Sequence, residues 1–273
     1  MATFGIGSTS SIYSIQRGLS SSQKIMSRSI ERLSSGKAIN RAADNAAGLA
    51  IAKQLLSELS SSSEATRNID YGVSQSDIAD GALGTQTDIV SRMRELAMQS
   101  ANGTLDDSAR GIIQTEFSML QEEMGRISEV TEFNGNKLLQ GGLTEIQVGT
   151  TSTPDSRIDL DTPDTSLSAL GLEGLDLSTA GGAQVALDAF DVATETLSTA
   201  RAGIGATRNR LEGAQEGLQV SMENIAAAAS RIQDTDVGAE LSELSLSRVR
   251  DEIASKLSSR QGVSAGMLVD VVG

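Results

Sequence analysis

Large apolar residues recur every seven positions through the C-terminal third of the chain. The repeat consists of Phe190, Leu197, Ile204, Leu211, Leu218, Ile225 and Ile232. The positions three residues further along carry small side chains, mostly Ala, Ser or Thr. This alternation is typical of a coiled-coil seam, and small residues let a partner helix approach closely. The pattern predicts a helix over about 183–233 that packs against other helices through these seven residues.

Weaker repeats of the same period predict further helices. Ile113, Leu120 and Ile127 indicate a helix over about 104–131, and Thr104, after the turn pair Asn102-Gly103, is its predicted start. A looser apolar set predicts a helix over about 44–100. Both terminal segments also carry apolar residues at helical spacing, namely Ile12, Leu19, Met26 and Leu33 near the start and Leu241, Leu244 and Ile253 near the end.

The middle of the chain, about 134–182, has a different pattern. Ile146 and Val148 alternate with polar residues, and so do Ile158 and Leu160, which predicts a β-hairpin with a long loop. A connection rich in Gly and Ser follows. The only two prolines, Pro154 and Pro163, lie here, so nothing outside this region must break a helix. We therefore predict a mainly α fold of long antiparallel helices in a coiled-coil bundle, with a small β-hairpin region.

The two ends of the chain carry opposite charge. Residues 1–41 have six basic residues and one acid, whereas residues 234–273 have four basic residues and seven acids. This complementarity predicts a terminal coiled-coil domain formed by 1–43 with 234–273, beside a helical domain formed by 44–233. The terminal segments are rich in Ser and weakly apolar, so we expect them to be largely disordered in the monomer and to order on polymerisation. The seven apolar residues of these segments are then the predicted assembly interface.

The composition excludes most catalytic chemistry. The chain has no His and no Cys, so it lacks an imidazole base, a thiol nucleophile and the usual zinc ligands. Gly203-x-Gly205 lies inside the seam helix and is not a nucleotide-binding turn. Asp234, Asp236 and Glu240 could suggest calcium, but they lack the spacing of a calcium-binding loop and suit a helix start better. We expect no enzyme activity and no cofactor.

The overall charge and hydropathy limit the partners. The formal charge of −14 argues against nucleic acid, and aromatic residues make up only 2% of the chain. No apolar run is long enough to insert into a membrane, and the first residues do not resemble a secretory signal. The Ser-rich, basic start also fits an organellar transit peptide, but its heptad pattern recurs elsewhere in the chain.

Several segments of the chain form a specific set of motifs: ERLSSGKAINRAADNAAGLAIA at 31–52, RMRELAMQSANG at 92–103, FNGNKLL at 133–139, IQVG at 146–149 and SRIQDTDVGAELSELS at 230–245. Together they resemble bacterial flagellin, the subunit of the flagellar filament, and the resemblance covers about 1–160 and 190–260. The chain departs from the family at Val237 and Gly238 and in its last helix, which lacks the usual Gln-Ala-Asn-Gln run. It is similar to a short flagellin without large variable outer domains.

The resemblance implies a function and a set of partners. A flagellin is exported unfolded by the flagellar type III apparatus and self-assembles into the extracellular filament used for swimming. Its terminal segments form the inner core of the filament, and its partners are an export chaperone, a cap protein and hook-associated proteins. Flagellins of many bacteria are also recognised by Toll-like receptor 5, and Arg92, Leu96 and Glu116 match family positions implicated in that binding.

Two other classes of protein share some of these features. A hook–filament junction protein is homologous to flagellin at its ends, but its counterpart of the 92–103 stretch is usually weaker. A cytoplasmic coiled-coil adaptor would explain the heptads but not the matching segments. Material sheared from the cell surface separates the three classes: a filament subunit is its major component, a junction protein is a trace component, and an adaptor is absent.

Overall fold

The computed structural model describes the backbone of residues 5–272 and the side chains of residues 13–257. Five α-helices and four strands follow one another along residues 5–272. The helices are α1 (Gly5–Ser35), α2 (Ala46–Ser100), α3 (Asp107–Val130), α4 (Ala180–Gln233) and α5 (Val237–Val272). The strands are β1 (Glu132–Phe133), β2 (Asn136–Lys137), β3 (Gln140–Gln147) and β4 (Arg157–Asp164). The predicted fold class, mainly α with a small β-hairpin region, is confirmed.

The chain divides into two compact units. Unit 1 contains Met1–Ser57 with Asn224–Gly273, and unit 2 contains Glu58–Glu223. The domains predicted from the sequence, 1–43 with 234–273 and 44–233, stay a prediction. In the structure α2 and α4 each continue from one unit into the other, so no turn or proline marks the boundary.

The larger core of unit 2 lies among α2, α3 and α4. Phe117 and Phe190 meet edge to face with ring centroids 5.9 Å apart, and Met93 and Met124 are fully buried in the same cluster. The connection between β4 and α4 adds the buried side chains of Leu170, Leu172 and Leu177. This connection, read from the sequence as a Gly- and Ser-rich linker, therefore contributes to the core.

A smaller core holds the β-hairpin against the helices of unit 2. Strands β3 and β4 are antiparallel, with Ile146 opposite Ile158, and their inner face packs on Ile69 and Leu211. Helix α2 presents Gly72 at the point of closest approach, where an added Cβ would clash with Ile146 Cδ1. A glycine therefore lets the hairpin lie directly on the helix.

A buried arginine closes the turn between α2 and α3. Helix α2 has no basic residue in its last turn. Arg110 of α3, 8% exposed, donates from Nε to the Ser100 carbonyl oxygen and from Nη2 to the Asn102 carbonyl oxygen, each at 3.0 Å. Its positive charge also suits the negative end of the α2 helix dipole. The N-cap of α3 is Asp106, two residues after Thr104, and its carboxylate accepts the hydrogen bond from the Ala109 amide at 2.8 Å.

Replacing Arg110 by Ala should lower the free energy of unfolding by about 1–3 kcal/mol, because it leaves two carbonyl groups at the turn without their charged donor. Arg110→Lys should recover only part of the loss, since an ammonium lacks the planar fork of donors. Urea denaturation followed by circular dichroism measures both variants. If Arg110→Ala unfolds like the parent chain, Arg110 does not stabilise the turn.

Candidate assembly surfaces

The first and last helices pair in antiparallel fashion within unit 1. Ser22 Oγ on α1 donates to the Ser247 carbonyl oxygen on α5 at 2.8 Å, and Arg32 Nη1 lies 3.6 Å from Glu240 Oε2. Beyond the helix ends, Lys37 and Asp234 form an antiparallel bridge, in which the amide of Ala38 donates to the Gln233 carbonyl oxygen at 2.7 Å.

Most of the residues that join α5 to α1 are small or polar. Five positions of α5 are buried or half-buried at heptad spacing, namely Glu240, Leu244, Ser247, Asp251 and Ala254. Ser22 and Ser29 are the buried side chains within residues 13–35 of α1. Only Leu244 among the five α5 residues is large and apolar, so the contact with α1 uses little of the apolar surface of α5.

Other large apolar residues in the described part of α5 lie outside this seam. Four of them are 46–56% exposed, namely Leu246, Val249, Ile253 and Leu257. At 100° per residue they fall on one side of the helix, where Val249 is opposite the residues that contact α1, and Ile253 and Leu257 border the groove towards α1. We call these four residues the outer stripe. Beside it, a groove of about 350 Å³ between α1 and α5 is lined by Ile15, Ile25, Ala254 and two stripe residues.

The residues predicted as the terminal interface occupy three environments. Leu244 is buried in the α1–α5 seam, whereas Leu19, Met26 and Leu33 are half-buried on α1. Leu241, at 50% exposed, and Ile253, at 53%, face outward. The side chain of Ile12 lies outside the described residues. The sequence analysis missed Leu246 and Leu257, whose spacing from Val249 and Ile253 is the signal that could have identified them.

Helix α1 carries a basic face within unit 1. Arg17, Lys24 and Arg28 are exposed there, and Arg41 from the following loop pairs with both carboxylate oxygens of Glu31 at 2.9 and 2.8 Å. The same loop is ordered by Asp44, whose carboxylate accepts hydrogen bonds from the backbone amides of Arg41 and Asn40. These hydrogen bonds, that from Arg41 first, lower the pKa of Asp44.

The predicted seam of α4 is deeply buried over its first four positions. Phe190, Leu197, Ile204 and Leu211 are at most 2% exposed. The last three positions, Leu218, Ile225 and Ile232, are half-buried.

A series of ion pairs between α2 and α4 runs beside the buried part of the seam. Arg94 pairs with Asp191 at 2.9 Å, Asp80 with Arg201 at 2.8 Å and Asp77 with Arg208 at 3.3 Å. The hydrogen bond from Arg201 lowers the pKa of Asp80, so this pair stabilises the fold above the ordinary carboxyl pKa and is lost as the pH falls through the lowered value. Each exposed pair contributes only about 0–1 kcal/mol, so the series mainly fixes the register of the two helices.

The three residues matched to receptor binding do not share one surface. Arg92 Nη2 lies 2.7 Å from Glu116 Oε1, and Arg92 Nη1 lies 2.9 Å from Glu95 Oε2. The hydrogen bond with Glu116, followed by that with Glu95, raises the pKa of Arg92. Leu96, in contrast, is 1% exposed and belongs to the larger core. A protein partner could therefore contact Arg92 and Glu116 directly, but not Leu96.

The acids between α4 and α5 take part in local contacts. Asp236 accepts from the Ala239 amide at 3.0 Å and so caps the start of α5, while Asp234 accepts from Ser230 Oγ. Within the described side chains, no group of three or more His, Cys, Asp or Glu residues is arranged to hold a metal ion. No helix over the same residues combines the length and the hydropathy required to span a bilayer.

The family of the chain follows from comparison with known proteins. Residues 7–144 match the model of the bacterial flagellin N-terminal helical region, and residues 187–268 match the model of the C-terminal helical region. The chain belongs to the bacterial flagellin family. The resemblance read from the sequence is thereby confirmed.

Individual relatives match most of the chain. A flagellin of Halalkalibacterium halodurans is 36% identical over 232 residues, covering 84% of this chain and 85% of its own. A flagellar filament core protein of Brachyspira hyodysenteriae is 33% identical and covers 92% of each chain. The crystal structure of Bacillus cereus flagellin, 30% identical, superposes with a TM-score of 0.51 and covers 60% of this chain and 94% of its own.

Family membership establishes the general role of the protein. It is a structural subunit of the bacterial flagellum and not an enzyme, and its family forms the extracellular flagellar filament by self-association. A putative flagellar hook-associated protein of Vibrio parahaemolyticus has a TM-score of 0.59 at 14% identity, which shows a shared fold alone.

Proposed function

We propose that the chain polymerises into the filament through its terminal helices, with 1–43 and 234–273 acting together as the assembly module. The observation that carries this proposal is the distribution of apolar surface on α5. Apart from Leu244, the residues of α5 that face α1 are small or polar, whereas the outer stripe of Leu246, Val249, Ile253 and Leu257 stays about half exposed. Copies that pack side by side would cover the stripe.

Burial of the outer stripe supplies part of the free energy of assembly. Covering the exposed half of a Leu, Ile or Val side chain contributes about 1 kcal/mol, so the stripe contributes roughly 4 kcal/mol per copy. Association opposes this with lost translational and rotational freedom. The outer stripe alone therefore gives weak pairing, and a stable polymer needs the groove beside it and the repeated contacts of a helical array.

Substituting the stripe should block assembly without unfolding the chain. We expect Val249→Ser with Ile253→Ser to abolish sedimentable filaments, because both side chains are about half exposed in one copy and would be covered in the polymer. The matched control is Glu243→Ser with Arg248→Ser, two exposed polar positions of the same helix. Filament yield is measured by sedimentation, and thermal unfolding checks the fold. Normal filaments from the stripe variant would overturn the proposed interface.

The route to the filament is proposed from the same family membership. We propose export of the unfolded chain by the flagellar type III apparatus, with a chaperone before export and with cap and hook-associated proteins at the growing end. The absence of Cys supports this route, because no disulfide can form and block passage of the chain through a narrow channel.

A role at the hook–filament junction is the alternative function. The abundance of the chain in sheared surface material distinguishes a filament subunit from a junction protein.

We also propose that a monomer of this chain is recognised by Toll-like receptor 5 through Arg92 and Glu116. Both side chains are about half exposed, and they lie together on α2 and α3. Because Leu96 is buried, its place in the matching motif is explained by packing and not by contact with the receptor.

A receptor reporter assay with purified monomers tests this recognition. Arg92→Ala and Glu116→Ala should each weaken the response several-fold. Arg94→Ala is the control, because Arg94 has a similar exposure but pairs with Asp191 on α4. An inert parent monomer, or an equal loss from Arg94→Ala, would contradict the assigned contact.

A further inference from the structure

Two Asn-Gly pairs occur in the chain, at Asn102-Gly103 and Asn134-Gly135. An Asn followed by Gly is chemically labile, because the glycine amide nitrogen can attack the Asn side-chain carbonyl carbon without interference from a Cβ. The reaction requires the amide nitrogen to approach the side chain. Backbone conformation at the Asn therefore decides which pair reacts in the folded protein.

The pair Asn134-Gly135 is held in an unreactive conformation. It forms the two-residue turn between β1 and β2, where Phe133 pairs with Asn136. The φ angles of +50° at Asn134 and +84° at Gly135 are those of a type I′ turn. A left-handed backbone has a positive ψ near +45°. That ψ places the next amide nitrogen on the far side of the Cα–C bond from Cβ, out of reach of the side chain.

The pair Asn102-Gly103 lies in an open turn between α2 and α3. Among residues 5–272, Asn134 alone of the non-glycine residues has a positive φ, so Asn102 does not share the left-handed conformation. A Cβ placed on Gly103 would meet nothing within 4 Å. Asn102 Oδ1 accepts from both the amide and the hydroxyl of Thr104, each at 3.1 Å. This Asx turn folds the side chain over the Gly103 peptide, and its two donors polarise the amide carbonyl.

Arg110 contacts the main-chain carbonyl group of Asn102 and so influences which product forms. Its Nη2 donates to the main-chain carbonyl oxygen of Asn102 at 3.0 Å, and the guanidinium is buried. This oxygen belongs to one of the two carbonyls of the cyclic imide that deamidation would form. A cationic donor favours addition of water at the carbonyl that it polarises, and it pairs strongly with a carboxylate formed there.

We propose that Asn102 is a self-modification site that converts to isoaspartate in the folded protein. The Gly103 nitrogen bonds to the Asn102 side-chain carbonyl carbon and loses its proton to solvent, while the side-chain nitrogen takes up a proton from solvent and leaves as ammonia. Water then adds to the main-chain carbonyl carbon of the resulting succinimide, and the bond from that carbon to the Gly103 nitrogen breaks. The chain now runs through the former side chain, and the new carboxylate faces Arg110.

Mass spectrometry of the aged protein tests the proposal. The purified chain is incubated in mildly alkaline buffer, digested with trypsin, and followed in peptides 95–110 and 127–137, each of which contains one of the two pairs. Enzymatic methylation of isoaspartate identifies the product. We expect conversion in peptide 95–110 and several-fold less in peptide 127–137. In urea, where the turns are lost, the two peptides should convert at similar rates.

Two variants test the roles of Gly103 and Arg110 separately. Gly103→Ala, which the open turn can accommodate, should slow conversion several-fold without changing the circular dichroism spectrum. Arg110→Lys should lower the ratio of isoaspartate to aspartate at position 102. An unmodified Asn102 in folded protein, or equal conversion of Asn134 in folded protein, would overturn the site. An unchanged product ratio in Arg110→Lys would remove the directing role of Arg110.

Discussion

Replacing Leu211 by Ala should lower the free energy of unfolding by about 2–5 kcal/mol, the usual cost of removing a fully buried leucine side chain. Leu211 is 0% exposed and belongs to the small core in which the β-hairpin packs on α2 and α4. The effect combines lost apolar burial with the cavity left beneath Ile146 and Ile158. Urea denaturation followed by circular dichroism gives the value.

Val220→Ala on the same helix is the matched control. Val220 is 61% exposed, so its truncation should change the free energy of unfolding by less than about 0.5 kcal/mol.

Leu211→Asp should have a larger effect than Leu211→Ala and prevent filament formation, because an unpaired carboxylate cannot be accommodated in this core. A Leu211→Asp protein with normal melting and normal filaments would show that Leu211 is not a seam residue.

Deleting residues 234–273 should leave a soluble helical monomer that no longer polymerises. Unit 2 has its own apolar clusters within Glu58–Glu223, so it should unfold cooperatively without α5. The deletion removes the outer stripe and the partner of α1, and with them the proposed assembly module. Circular dichroism measures the helical content, and sedimentation under assembly conditions measures the polymer.

The two results of the deletion have separate meanings. A truncated chain that still pellets as filaments would show that assembly does not depend on the terminal helices. A truncated chain that unfolds completely would show that the terminal helices are needed for the stability of unit 2. The double variant Val249→Ser with Ile253→Ser separates an effect on assembly from an effect on stability, since it changes the outer stripe and leaves α5 in place.

The helices could be predicted closely because their pattern is long and uninterrupted. The predicted helix over 183–233 corresponds to α4, Ala180–Gln233, and the predicted helix over 44–100 to α2, Ala46–Ser100. The start of α3 was less accurate, because Asp106 and not Thr104 accepts the capping hydrogen bond. The buried leucines at 170, 172 and 177 could not be recognised, since an irregular segment has no periodicity that reveals which side chains face a core.

The candidate surfaces were harder to predict than the helices. On α5 the apolar residues follow two helical faces at once, and only the contact with α1 shows that Leu244 faces inward while Val249 and Ile253 face outward. The burial of Leu96 was equally hidden, because a motif match gives the identity of a residue but not its exposure. The lability of Asn102 relative to Asn134 depends on backbone angles and on a donor eight residues away, which the dipeptides themselves do not contain.

Electron microscopy of the purified chain after an assembly step tests the central claim most directly. In the assembly step the purified chain is mixed with short filament fragments, which act as seeds, and with a salt such as sulfate that strengthens apolar burial. A self-assembling filament subunit should give long, uniform helical filaments, and the Val249→Ser and Ile253→Ser variant should give none under the same conditions. If the parent chain only caps the seeds or remains monomeric, it is not the subunit that builds the filament.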